Sequence, residues 1–351
     1  MSSTRRSLAP GLCRLAPALF LAVLVPALAA CERSRPPEPT PAPPPKPPAS
    51  ASNAANLPAK AAAAPPSVPF AGAVPAPERI VAIGDLHGDF EAARKAFRLA
   101  GATDAKDEWI GGKLVVVQTG DEIDRGDDDR KILDWVEKLK GDAEKAGGAV
   151  VALVGNHEIM NVQFDFRYVT DGAFTSFDGS QAPNPQVSTA LAGMEARSRS
   201  RAYAFAPGGA YATMLSRRPV VAQVGGTVFV HGGVLPKHVA LGLDKINENA
   251  KQWLLGKDPT PPRALVSEDG PLWTRMYSAA PGREECAMLG ETLKSLDAKR
   301  MVMGHTVQRG GISQACEGKA WRIDVGMSRF FGGSVEVLEI KGDTVNVLKG
   351  S

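Results

Sequence analysis

Arg79-Ile80-Val81-Ala82-Ile83-Gly84-Asp85-Leu86-His87-Gly88 is a short, largely β-branched apolar run that stops at a glycine and gives way to a carboxylate and an imidazole. The arrangement recurs along the chain. Leu114–Gln118 leads to Gly120-Asp121-Glu122-Ile123-Asp124-Arg125-Gly126, and Ala149–Val154 leads to Gly155-Asn156-His157-Glu158. Thr227–Val230 leads to His231-Gly232-Gly233, and the weaker run Arg300–Met303 to Gly304-His305-Thr306. A short apolar run fits a buried strand or a buried helix segment, but these lengths and the nearby glycines favour strands. Helical patterns lie between them, as at Phe90–Leu99 and Lys131–Lys145. Strand–loop–helix alternation predicts an α/β domain, a layered sheet whose site lies where the loops after the strands converge. Further strands are expected at Val335–Ile340 and Thr344–Leu348, about a turn at Gly342-Asp343.

That domain covers residues 79–351, and what precedes it reads as delivery apparatus. Arg5, Arg6 and Arg14 accompany an apolar run from Leu15 to Ala30, too short to span a bilayer comfortably and matching a secretory signal over residues 1–30. Leu28-Ala29-Ala30-Cys31 resembles the lipobox of bacterial lipoproteins, in which the cysteine is lipidated and becomes the N-terminus. The alternative is an ordinary signal peptide with Cys31 incidental. Residues 31–78 are rich in proline and alanine, a disordered tether that would reach on the order of 140 Å if fully extended at roughly 3.1 Å per residue. An exported chain held to the cell envelope by lipid on Cys31 is therefore expected. Glu32 follows that cysteine instead of the aspartate associated with inner-membrane retention, which points to the outer membrane if the cell is Gram-negative.

The formal net charge is +3, and the signal carries three arginines and no acid, so the processed chain is near neutral. No global basic field argues for nucleic acid as a partner. Cys286 and Cys316 remain after processing, in an oxidising setting. They read as a disulfide, or else as two free buried thiols.

One stretch fits the alternation poorly. Residues 162–220 carry Asp171-Gly172, Pro183 to Pro185, and arginines at 197, 199, 201, 217 and 218. The segment reads either as an insertion that shapes substrate access or as a solvated helical cap whose arginines do nothing specific.

Four of the five histidines stand in the glycine-containing motifs, in the company of carboxylates and an amide. Together these are ligands for divalent metal ions. Asp85 and His87, two apart at a strand end, can hold one ion. Asp121 can bridge to a second through its two oxygens, with Asn156, His231 and His305 completing that second site. Such a pair lowers the pKa of a bridging water and clamps both oxygens of an in-line displacement. His157 neighbours a ligand, so its side chain should point elsewhere, toward a leaving group to which it could donate a proton. Asp124 is the candidate to orient it, and Arg125 offers a planar fork for phosphate oxygens. His238 lies outside every motif and reads as structural.

The strings GDLHG, GDEIDRG, GNHE, HGG and GHT resemble the signature of the phosphoprotein-phosphatase branch of the calcineurin-like metallophosphoesterases. GDEIDRGDDDRKIL, GNHEIMN, GPLWTR and CEGKAWRIDVGMSR are similar to its bacterial Shewanella-like group, and the likeness covers nearly all of residues 79–330. The resemblance implies a sandwich of two mixed β-sheets flanked by helices, two divalent metal ions (Mn, Fe or Zn), and phosphomonoester hydrolysis by a metal-activated hydroxide. It implies the same ligand set, with His157 as acid, Asp124 as its partner and Arg125 as phosphate clamp. It also implies a second clamp at Arg275, although the local sequence departs from the eukaryotic pattern and a structural pairing of Arg275 with a nearby acid such as Glu268 is the alternative. The expected activity is a protein phosphatase acting on phosphoserine, phosphothreonine or phosphotyrosine. A phosphatase of nucleotides, diadenosine polyphosphates or sugar phosphates is the second reading, and a non-catalytic metal-binding surface lipoprotein the third.

Overall fold

The computed structural model describes residues 76–350. The expected signal peptide, the lipidation of Cys31 and all but the last three residues of the tether lie outside the described residues. Among the described residues no helix is long and apolar enough to cross a membrane.

Strands β1 (Ile80–Ile83), β2 (Val115–Gln118) and β3 (Ala149–Ala152) alternate with helices α1 (Phe90–Leu99) and α2 (Asp129–Lys145), and α3 (Asn156–Val162) follows β3. Next come α4 (Asp171–Thr175), α5 (Pro185–Ala190), α6 (Ala196–Phe205) and α7 (Ala210–Leu215). The second half holds β4 (Val221–Val224), β5 (Thr227–Val230), α8 (Pro236–Leu241), α9 (Leu243–Leu254), α10 (Arg263–Val266), α11 (Arg283–Ser295) and β6 (Arg300–Met303). Strands β7 (Ser313–Ala315), β8 (Ala320–Arg322), β9 (Glu336–Lys341) and β10 (Thr344–Lys349) complete the fold.

Among the described residues ten strands form two mixed sheets, ordered β10-β9-β1-β2-β3 and β4-β5-β6-β8-β7. In the first, β1 runs parallel to β2 and antiparallel to β9; in the second, β5 runs parallel to β6 and antiparallel to β4. Side chains alternate between two environments. Ile80, Ala82, Val115, Val117 and Leu338 meet Ala222, Val224, Phe229 and Val302 in the layer between the sheets. Val81, Ile83 and Val116 face the other way, onto Phe97, Trp135 and Leu139 of α1 and α2. Val228, Val230, Met301 and Met303 do the same for Leu243, Trp253, Leu289 and Leu293 of the helices over the second sheet. Both faces are covered, which is why the central strands read as uninterrupted apolar runs.

The expected sandwich of two mixed sheets flanked by helices is thus the observed fold. The runs alone indicated a layered sheet, and the division into two sheets came only from the resemblance. Strand β4 lies just beyond the stretch set aside as an insertion, and the half-exposed three-residue strands β7 and β8 left no periodic signal. Cys286 on α11 and Cys316 in the β7–β8 turn form a disulfide, with Cα atoms 5.1 Å apart, so the free-thiol alternative falls.

Candidate active site

The parallel strands β1, β2, β3, β5 and β6 end on one side of the sandwich, and each expected ligand follows a strand end within a few residues. The loops turn sharply there. Among the described residues ten non-glycine residues have positive φ, and half belong to this site: His87 (46°), Asp121 (54°), Asp124 (70°), Arg125 (71°) and His305 (66°). Such left-handed backbone costs an L-residue about 1–2 kcal/mol, so the strain is concentrated where side chains must be aimed. Two glycines have a different reason. A Cβ on Gly155 would collide with the Asp121 carboxylate, and one on Gly304 with that of Asp85.

The ligand-bearing side chains converge. One nitrogen of each imidazole is engaged by a backbone carbonyl: His87 Nδ1 by Ile123 O (3.3 Å), His231 Nδ1 by Thr119 O (2.9 Å), and His305 Nε2 by Trp273 O (3.0 Å). That fixes the tautomer of each ring and directs its other nitrogen inward. His87 Nε2 lies 4.0 Å from Asp85 Oδ2 and 3.9 Å from Asp121 Oδ2. His231 Nε2 faces Asn156 Oδ1 at 2.8 Å and Asp121 Oδ2 at 3.2 Å. A ring lone pair aimed at two oxygens is repulsive unless positive charge lies between them. Burial disfavours charge on His231, but the Asp121 carboxylate outweighs it and raises the His231 pKa.

The carboxylates point to the same need. Burial, with Asp324 and Asp121 close by, pushes the Asp85 carboxyl well above its ordinary range. Asp324 is pushed up to about 6, chiefly by burial. Burial also opposes ionisation of Asp121, yet His231 and His157 overcome it and hold that carboxyl well below the usual value. Two ligand groups share Asp121, one with His87 and His157 and one with His231 and His305, each with its ligand atoms within 4.8 Å. Buried oxygen and imidazole donors of this kind fit divalent cations, and the shared carboxylate suits a bridge.

His157 belongs to the first group by distance, but its ring is engaged elsewhere. His157 Nδ1 donates to Asp124 Oδ2 at 2.6 Å, leaving Nε2 directed to the cavity, 3.8 Å from Asp121 Oδ2. Burial works against the imidazolium, and the Asp121 charge with the Asp124 hydrogen bond outweighs it, raising the pKa to about 9. The backbone N–H of His157 donates to Asp121 Oδ1 at 2.9 Å, tying acid and ligand together at the start of α3. Glu158, unassigned from sequence, fixes that start. Its carboxylate accepts from the N–H groups of Gly155 (2.7 Å), Asp121 (3.0 Å) and Glu122 (2.9 Å). An acid three residues after a helix cap is a signal that could have found it.

A cavity of about 490 Å³ opens over this centre, lined by His87, Asp121, Asn156, His157 and His305, with Arg125 and Arg275 on its walls. The Arg125 guanidinium lies 3.8 Å from the Tyr168 ring centroid and 4.8 Å from that of Phe330. Its Nε is buried without a hydrogen-bond partner. Among the described residues no carboxylate, Glu268 included, forms a salt bridge with Arg125 or Arg275, so the structural pairing offered as the alternative for Arg275 is not observed. Asp324 also lines the cavity; the RIDVGMSR string contained it, but nothing local distinguished it from a surface acid.

The reading of the insertion as a solvated cap with idle arginines needs correction. Arg201 and Arg218 are buried, and Tyr168, Asp165 and Arg167 line the cavity. Arg201 reaches Asp124, Asp129 and Asn161 beneath the site. Arg218 Nη1 lies 2.9 Å from Glu122 Oε2, close as charges although not aligned as a hydrogen bond, and its Nε donates to Glu137 at 3.2 Å. His238 is structural as expected, its Nδ1 accepting from the backbone N–H of Leu235 at 3.0 Å, at the start of α8.

Residues 78–309 match the calcineurin-like phosphoesterase family. The chain is 41% identical to Shewanella-like protein phosphatase 2 of Arabidopsis thaliana over 298 residues, 76% of either chain. It is 31% identical to Shewanella-like protein phosphatase 1 of Plasmodium berghei, over 72% of this chain and 68% of that one. A solved cold-active protein tyrosine phosphatase superposes with TM-score 0.64 at 22% identity, over 80% of this chain and 83% of that one, a likeness of fold. Motifs, two-sheet sandwich, convergent ligands and relatives agree: the chain belongs to the calcineurin-like metallophosphoesterases, hydrolases that act on phosphate esters with two divalent metal ions.

Proposed function

We propose that this hydrolase is a protein phosphatase that cleaves phosphomonoesters from phosphoserine, phosphothreonine or phosphotyrosine. The observation that carries the reading is the meeting, at one cavity, of His157, hydrogen-bonded to Asp124, with Arg125 and Arg275, neither of which forms a salt bridge among the described residues. Two guanidinium groups suit the dianion of a monoester better than the single charge of a diester. The names of the Arabidopsis and Plasmodium relatives support a protein substrate. Export and lipid anchoring through Cys31 complete the proposal, supported by the sequence of the N-terminus.

Asp85, His87 and Asp121 would hold one metal ion, and Asp121, Asn156, His231 and His305 the other. Bound there, the pair supplies an activated water and neutralises phosphoryl charge. Arg125, braced between Tyr168 and Phe330, orients the phosphate, with Arg275 a second guanidinium lining the same cavity. His157 holds a proton on Nε2 and passes it to the departing ester oxygen, while its Nδ1–H stays on Asp124.

The full chain, supplied singly with Mn²⁺, Fe²⁺ or Zn²⁺, should turn over phosphopeptides with kcat/KM above that for nucleotides and sugar phosphates. Asp121→Asn should abolish turnover. A preference for nucleotides would make it a small-molecule phosphatase, and bound metal without turnover on any phosphoester would make it a binding protein.

A further inference from the structure

We propose that Arg201, carried by helix α6 of the insertion, is a positioning residue for the reaction: it aims His157 by fixing Asp124 from below. The inference rests on the proposed role of His157 as proton donor. Asp124 is fully buried, and its two oxygens have separate duties. Oδ2 accepts from His157 Nδ1 at 2.6 Å. Oδ1 accepts from Asn161 Nδ2 at 3.0 Å and from Arg201 Nη2 at 3.3 Å. A carboxylate held through one oxygen presents the other in a single direction, and that direction sets the plane of the imidazole.

Arg201 controls this arrangement through three routes. Its Nε donates to Asn161 Oδ1 at 2.7 Å, which decides which end of the Asn161 amide faces Asp124. Were that amide reversed, an oxygen would face the Asp124 carboxylate and repel it. The same Nη2 donates to Asp129 Oδ2 at 2.7 Å, and Asp129 Oδ1 accepts from the backbone N–H of Asp124 at 2.9 Å. That second route holds the left-handed backbone at Asp124, φ 70°. The third is charge, since Arg201 is the cation in contact with both buried carboxylates, Asp124 and Asp129. Nη1 donates to Ala173 O at 3.1 Å, and the guanidinium lies 4.9 Å and 5.1 Å from the Phe177 and Phe205 ring centroids. The fork is therefore held in place by its own surroundings, and Lys could not reproduce it.

A proton donor matters most when the leaving oxygen is strongly basic and little when it is already stable as an anion. That separates aiming the acid from merely stapling the insertion to the core. Metal-loaded full chain would be assayed on p-nitrophenyl phosphate, whose leaving group is good, and on an alkyl phosphate such as glycerol 2-phosphate. Arg201→Met should lower kcat on the alkyl ester at least about tenfold more than on the aryl ester, with KM on each little changed. Arg201→Lys should show the same split in smaller measure, and it decides the matter if Arg201→Met does not fold. Equal losses on the two esters, or no loss, would overturn the proposal. His157→Asn is the control. If it shows the split and the Arg201 variants do not, only the positioning role falls; if it shows none, the acid assignment falls and takes this inference with it.

Discussion

Between Ala196 and Pro219 the insertion carries five arginines that look alike in sequence and divide sharply by depth. Arg201 and Arg218 are buried and reach acids brought in from the loop and helix after β2. Arg197 and Arg217 are exposed, pairing with Asp171 and Glu137 at the surface, while the half-buried Arg199 donates to the Ala192 carbonyl. Charge, length and intrinsic chemistry are shared across the set. What differs is whether water can take over when the partner is lost. A buried carboxylate deprived of its cation has no solvent to turn to, whereas an exposed one is barely affected.

The depth contrast can be tested by substitution. Arg218→Met strips the buried Glu122 of its counter-charge and should cost about 3–5 kcal/mol of stability, read by calorimetry; a change comparable to the exposed arginines would break the contrast. The Cys286–Cys316 disulfide, outside the insertion and closing a 30-residue separation, provides a yardstick of about 3.5 kcal/mol from loop entropy. Reductant should therefore lower the melting temperature, and an unchanged value would show that the bridge constrains little. Tyr168→Ala removes the ring stacked on Arg125 and should weaken substrate binding by about 0.5–2 kcal/mol, seen in KM more than in kcat; a pure kcat effect would place Tyr168 in the chemistry instead. Arg197→Ala and Arg217→Ala should each change stability by less than about 0.5 kcal/mol, and larger losses would erase the distinction from the exposed side.

The legibility of the sequence follows the same divide between local and distant. Asp85, His87, Asp121, Asn156, His231 and His305 could be read because each follows a strand end within a few residues, so a glycine beside an apolar run marks the spot. Thr227–Val230 and Arg300–Met303 coincide with β5 and β6 for the same reason. Arg201 could not be read. Its partners Asp124 and Asp129 lie 77 and 72 positions away, and no periodicity joins them. The helices α4 to α7 are short and separated by segments carrying Pro183, Gly193 and Gly208-Gly209, so the insertion gave no amphipathic signal to follow. The pairing of Cys286 with Cys316 needed the oxidising setting as an assumption, and the contact itself needed the fold.

The left-handed backbone at Arg125 bears on how this protein could be improved by selection. Glycine would adopt φ 71° there without steric cost, relieving on the order of 1–2 kcal/mol while deleting the guanidinium from the cavity wall. Lost stacking on Tyr168 and Phe330 and the extra unfolded-state freedom of glycine offset that relief, so a library sorted for heat resistance alone would exert little pressure to keep Arg125 and could accumulate clones with poor turnover. Hardiness and catalysis weigh differently on this one codon, so any laboratory lineage needs both pressures applied in every round.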